Sequence, residues 1–204
     1  VAAVFIDTGS GTRGWRTVLA IPDGTYAGGT IDAIDVTDPV NPSFLWEASD
    51  TVTVSGKTFV LGRAQGAAIG PIAGQSGTQY VVFVATDNTN GTAGNGFNLY
   101  ALDAGTGQVV WRFNKTYVND TTHNDVPGTV AVIDSTGQDG NADLLFFGDV
   151  EGKVWGVPAA TGAPSNLAAL YDSAAANGQA NSVNFPIESA VVLYRDPGNQ
   201  HLDV

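Results

Sequence analysis

One local pattern occurs three times in the chain, and it leaves few folds open. TIDAIDVTDPVNPSFLWE (30–47), NLYALDAGTGQVVWRF (98–113) and KVWGVPAATGAPSNLAALYD (153–172) each pass from a short apolar run through a turn rich in Gly, Pro or Asp into a second apolar run. A strand, a reversal and a returning strand make a β-hairpin. In the second copy Tyr100 and Leu102 alternate with Ala101 and Asp103. An aspartate opening a turn accepts hydrogen bonds from the amides that follow it. Asp103, Thr106 and Gly107 are therefore expected to build the turn, and Trp111 to dock on a neighbouring unit.

A more apolar strand precedes each hairpin: WRTVLAIP (15–22), QYVVFVATD (79–87) and DLLFFGDVEG (143–152). Before two of these stands a Gly/Pro-containing strand, AAIGPIAG (67–74) and DVPGTVAVID (125–134), and a fourth copy starts at NFPIESAVVLYRD (184–196). Four-stranded units repeated along a chain read as the blades of a β-propeller. The expected fold is all-β, with approximate blades at 1–63, 64–122 and 123–183 and the start of another at 184–204. Closed propellers use about four to eight blades, so the chain is expected to be a fragment of a larger ring whose remaining blades are its first partners. The stretches 48–58, 87–97, 114–124 and 172–184 read as loops, and no domain linker is visible.

Composition narrows the function. A net charge of −12 with only 8 basic residues is the wrong balance for nucleic acid, whose binding draws on clustered Lys and Arg, and for an anionic membrane surface. No run of about 18 apolar residues is present, so no membrane insertion is expected. The absence of cysteine removes disulfides and thiolate chemistry without fixing a compartment. Acidic chains of this kind suit hard cations held by oxygen.

The Ala101, Asp103, Gly107, Trp111 spacing resembles the blade signature of quinoprotein-type propellers. More narrowly, GWRTVLAIPDGTYAGGTIDAIDVTDPVNPSFLWE (14–47) and VPGTVAVIDSTGQDGNADLLFFGDVEGKVWG (126–156) are similar to segments of the PilY/PilC family of type IV pilus-associated adhesins, in the same order. This resemblance implies a non-enzymatic, exported protein at the cell surface or on pili. It implies roles in pilus biogenesis, retraction control and adhesion, with pilin or minor pilins and a host or abiotic surface as partners.

DSTGQDGNAD (134–143) is the candidate ligand loop. Calcium takes about six to eight oxygens from a tight carboxylate-rich loop with glycine at its bends. Asp134, Asp139 and Asp143 supply carboxylates, Asn141 a carbonyl, and Gly137 and Gly140 the bends. The family it resembles carries acidic residues at alternate positions of a calcium loop one residue shorter, and here Ser135 and Gly137 fall where carboxylates are expected. The competing reading is an Asp/Gly turn with no metal.

Other motifs are weaker. Asp87, Asn88 and Asn90 form a polar loop whose Asn-Gly chemistry is ordinary for a turn. Asn90, Asn114 and Asn119 open N-glycosylation sequons in predicted loops. His123, with Asp120 and Asp125 nearby, and His201 lack a nucleophile elbow, and DTGS around Asp7 lacks the second aspartate that acid proteases need. No catalytic residue and no organic-cofactor site is expected. Trp15, Trp46, Trp111 and Trp155 read as equivalent places in strands, where a regularly placed aromatic packs blade on blade. The competing functions are a fragment of a pyrroloquinoline-quinone dehydrogenase, which requires a stacked tryptophan and basic clamps, and a structural scaffold or filament propeller.

Overall fold

Antiparallel meanders account for nearly all the secondary structure among the described residues. The computed structural model describes residues 1–23, 30–48, 51–54, 57–60, 64–87, 95–117, 126, 128–135, 139–163, 170–172, 187, 189–192, 194–195 and 202–203. Every regular element among them is a β-strand. No helix among them is long and apolar enough to cross a membrane.

Three four-stranded sheets follow one another. The first joins β1 (Ala2–Asp7), β2 (Arg13–Asp23), β3 (Thr30–Asp35) and β4 (Ser43–Ala48) in chain order. After the ribbon β5 (Thr51–Val54) and β6 (Lys57–Val60) comes the second, β7 (Ala64–Gly74), β8 (Gly77–Asp87), β9 (Asn95–Asp103) and β10 (Val109–Tyr117). The third is β11 (Ala131–Ile133), β12 (Leu144–Gly148), β13 (Lys153–Pro158) and β14 (Tyr171–Asp172), and a short pair, β15 (Tyr194–Arg195) and β16 (Leu202–Asp203), closes the chain. This is a β-propeller architecture in a partial, unclosed arc of blades.

The blades superpose in register. Val18 pairs with Asp35, Val81 with Asp103 and Leu144 with Pro158, each at the end of a third strand. The following amide then returns to the second strand in every blade: Val36 N to Thr17 O, Ala104 N to Tyr80 O, and Ala159 N to Asp143 O, at 2.8 to 3.0 Å.

The core lies between sheets. On the face towards the first sheet, Val82, Val84, Tyr100 and Leu102 meet Val4, Val18 and Ile31; on the other face Phe83, Leu99 and Trp111 meet Leu145, Phe147 and Trp155. Successive residues of a strand point to opposite faces, and both faces of the second sheet are covered. That is why β8 reads as an unbroken apolar run rather than an alternating one. Phe97 anchors the second interface, edge-on to Phe147 at 5.1 Å and to Trp155 at 5.5 Å, in the geometry that ring quadrupoles favour.

Glycine sets the spacing of the first strands. A Cβ on Gly66 would lie 2.8 Å from Thr129 Cα, and one on Gly128 would lie 2.7 Å from Ser189 O. Each sheet thus meets the next segment backbone to backbone at equivalent places, and residues 187 and 189–192 pack on the third sheet as the third packs on the second.

Three expectations need correction. The stretch 48–58 holds most of a hairpin, β5 and β6, because TVTV and KTFV alternate around a Ser-Gly turn signal. The strand expected over 125–134 is only β11, and that over 143–152 only β12, since the Asp/Gly sequence around them is spent on turns. The unit before WRTVLAIP also has a first strand, β1, which pairs along its whole length with β2.

Candidate functional site

The blades are joined by tryptophans from their outer strands. Trp46 in β4 donates Nε1 to Ala104 O at 3.0 Å, and Trp111 in β10 donates to Ala159 O at 3.0 Å, both buried. Each ring lies against a turn glycine of the next blade. A Cβ on Gly107 would come within 2.7 Å of Trp46 Cδ2, and one on Gly162 within 2.6 Å of Trp111 Cδ2. Both glycines also have positive φ, 71° and 63°, which side chains resist. The docking expected of Trp111 is therefore present, and Trp46 repeats it.

Trp15 and Trp155 do not share that role. Trp15 sits in β2 and is 63% exposed, whereas Trp155 sits in β13 and donates Nε1 to the buried Asp149 of its own blade at 2.8 Å. Docking requires the indole on a fourth strand, and these two occupy second and third strands.

The aspartates at the ends of β1, β3 and β9 organise the turns. Asp103 Oδ1 accepts from Gly105 N and Thr106 N at 3.0 Å, and its Oδ2 accepts from Gln79 Nε2 at 2.9 Å. In the first blade Asp35 Oδ1 accepts from Thr37 N, and Arg16 Nε stands 3.6 Å from its Oδ2. In the third, Pro158 replaces the aspartate and Ala142 replaces its partner, so both polar groups are lost together. Asp7 Oδ1 gathers the amides of Gly9, Ser10 and Gly11 at 2.9 to 3.1 Å. Its DTGS context is thus a hairpin turn.

The loop between β11 and β12 lies at the same end. Asp143 N donates to Ile133 O, and Ala142 N donates across to Pro71 O of β7, each at 2.8 Å. Asp143 Oδ2 accepts from the amide and hydroxyl of Ser135, Asp134 Oδ2 from Gly140 N at 3.1 Å, and Asp139 Oδ1 from Asn141 N at 2.8 Å. Gly140 bends the chain with φ 74°. Asn141 Oδ1 is buried and accepts no hydrogen bond among the described residues. Among the described residues no three His, Cys, Asp or Glu side chains converge as a metal set. The donor set is all oxygen, as a hard cation requires, and the orphaned Asn141 carbonyl is the atom best matched to one.

The remaining candidates fall as follows. Asn114 lies in β10 rather than a loop, and its Nδ2 donates to Asn98 Oδ1 at 2.9 Å, beside Arg112. It pairs across the sheet with Asn98, so its sequon falls within a strand. Asp87 ends β8, while Asn88, Asn90, Asn119, Asp120, His123, Asp125, Gly137 and His201 lie outside the described residues.

A feature the motifs did not single out is a cleft of about 640 Å³ on the turn face, where the β1–β2, β7–β8 and β9–β10 turns meet. Asp7, Arg13, Thr78, Gln79, Tyr80 and Asp103 contribute to its wall. Trp15 stands beside it, its ring 5.6 Å from Phe5 and 6.1 Å from Tyr80. The sequence signal was present: Trp15 and Arg13 break the pattern of the second strands, since their counterparts in the second blade are Thr78 of β8 and Ser76 of the turn before it.

A scan against protein-family models and a search of curated proteins both find no match. Among solved structures, the chain is similar to the crystal structure of the Pseudomonas aeruginosa PilY1 C-terminal domain, with a TM-score of 0.57 and 20% identity. The likeness covers 99% of this chain and 42% of that one. The chain thus spans less than half the length of that neighbour, and it shares the neighbour's fold.

Proposed function

We propose that the chain is a non-enzymatic, pilus-associated propeller module, acting outside the cytoplasm in type IV pilus biogenesis, retraction control and surface adhesion. The observation that carries this reading is the fold likeness to the PilY1 C-terminal domain over 99% of the chain. The resemblance of the segments at 14–47 and 126–156 to the PilY/PilC family adds to it. Mechanically, tryptophan docking makes the blades a stiff platform, and the turns at one end present the contact face to pilin, minor pilins or a host or abiotic surface. Further blades of the same propeller are the natural cover for exposed apolar residues at the arc's ends, Ile21 and Phe44 on one side and Leu170 and Val192 on the other.

Calcium is part of the proposal. Asp134, Asp139, Asn141 and Asp143 would hold it, and its charge would order the 134–143 loop and so tune the contact face beside it. The orphaned Asn141 Oδ1 supports this.

The test is immunogold microscopy of the native cells, with a deletion strain examined for surface pili. Label on pili, with fewer pili or lost attachment in the deletion strain, is the expected result. Label confined to the periplasm of cells whose pili are bare, with piliation and attachment intact after deletion, would overturn the reading and favour a dehydrogenase fragment.

A further inference from the structure

We infer that the turn-face cleft beside Trp15 is a binding site for a neutral saccharide. The cleft's volume of about 640 Å³ falls in the range of small-ligand sites. Its polar groups are held in place by the protein, yet they keep unused hydrogen-bonding atoms. Arg13 Nη2 donates to Phe5 O at 2.7 Å and to Thr78 O at 3.3 Å, and the guanidinium lies 5.2 Å over the Phe5 ring. These contacts fix the side chain while leaving Nε and Nη1 without a partner among the described residues. Asp7 Oδ1 is taken by three turn amides, and Oδ2 is not. Gln79 is held through Nε2 by Asp103, which leaves its Oε1 unused.

One donor group, Arg13, and two acceptors, Asp7 and Gln79, therefore remain available on the cleft wall. A hydroxyl both donates and accepts, so a ring bearing several hydroxyls satisfies Arg13 and Asp7 together, where an anion would meet the carboxylates of Asp7 and Asp103. The chain's net charge of −12 adds to that repulsion, and Arg13 on the wall opposes a cation, which leaves a neutral ligand. The C–H face of a sugar ring packs on an exposed aromatic plane, and Trp15, 63% exposed, offers one outside the cleft wall, edge-on at 70° to the wall residue Tyr80.

The inference names a ligand for the adhesive face proposed above, and it rests on that reading for its setting. The experiment uses the intact purified protein on an array of neutral oligosaccharides, followed by calorimetric titration of one retained compound against wild type, Trp15→Ala and Arg13→Ala. Retention is expected, with each variant binding at least about tenfold more weakly, the loss of one charge-assisted hydrogen bond or one ring contact. Because Trp15 is exposed, its variant should keep the wild-type Tm. Acrylamide quenching should also reach Trp15, judged by the signal lost in Trp15→Phe. Four results would each overturn the inference: no neutral oligosaccharide retained, unchanged binding in both variants, a Trp15 shielded from acrylamide, or retention of peptides alone. Pilus labelling on cells whose protein retains no saccharide would remove the ligand and leave the pilus reading standing.

Discussion

The indole of Trp111 hydrogen-bonds the carbonyl of Ala159 in the next blade at 3.0 Å, across a sequence separation of 48 residues. Trp46 and Ala104 repeat the relationship across 58 residues. A buried carbonyl and a large ring are thereby settled together, so each blade is held by the one before it.

Trp111→Phe should destabilise the protein by about 2–4 kcal/mol, from an orphaned buried carbonyl and a smaller ring. Gly162→Ala should cost a similar amount, about 2–4 kcal/mol, from positive φ and overpacking against the indole. Because both act on one contact, Trp111→Phe combined with Gly162→Ala should cost clearly less than the two singles added. Urea unfolding of the four proteins measures this, and strict additivity would contradict the contact.

Replacing the turn aspartate has a smaller, local effect. Asp103→Ala removes the acceptor for Gly105 N, Thr106 N and Gln79 Nε2. A loss of about 1–2 kcal/mol is expected, since these turn groups are partly hydrated. Amide exchange should speed at 105 and 106 and stay slow in β8.

Gly66→Ala and Gly128→Ala test the close approach of the first strands. Each new methyl would meet neighbouring backbone, Thr129 or Ser189, and backbone cannot swing away. Destabilisation of about 2 kcal/mol or more is expected, typical of overpacking. Gly14→Ala, which meets nothing within 4 Å, is the control and should be near neutral.

Tyr100 predicts an alkaline limit. Burial, the main cause, pushes its hydroxyl above the ordinary 10.0, against the smaller pull of Arg112. The folded state then holds a proton that the unfolded chain releases from about pH 10 upward. Stability is fully present below pH 10 and falls as pH rises from there towards the raised folded value. Tyr100→Phe removes the buried hydroxyl and its titration, so it should flatten the fall above pH 10, while at pH 7 the lost interaction with Arg112 offsets the relief of burial and stability should change by less than about 1 kcal/mol. Chemical denaturation at pH 7 and at several values above 10 reads both effects.

Calcium should raise Tm and a chelator should lower it again. Saturation a hundredfold above Kd is worth about 2.7 kcal/mol. Asp139→Ala and Asn141→Ala should both remove the response. A Tm indifferent to calcium would leave 134–143 as a turn without a metal.

The sequence by itself determined the hairpins, the aspartate turns and the blade repeat, because strand alternation and turn chemistry act over a few neighbouring residues. It also marked Trp111 and Gly107 as members of one motif. Only the tertiary structure decided that Gly107 belongs to Trp46 and Gly162 to Trp111, since each contact joins segments about fifty residues apart. It separated Trp15 and Trp155 from the docking pair, because the position of a tryptophan within a blade decides what its ring meets. Likewise, four oxygen-bearing residues in one loop are legible as a pattern, but their directions depend on which amides each carboxylate accepts. The cleft was decided last of all. Asp7 and Arg13 belong to one hairpin of the first blade and Gln79 and Asp103 to the second blade, and only the packing of one blade on another brings them to a common wall.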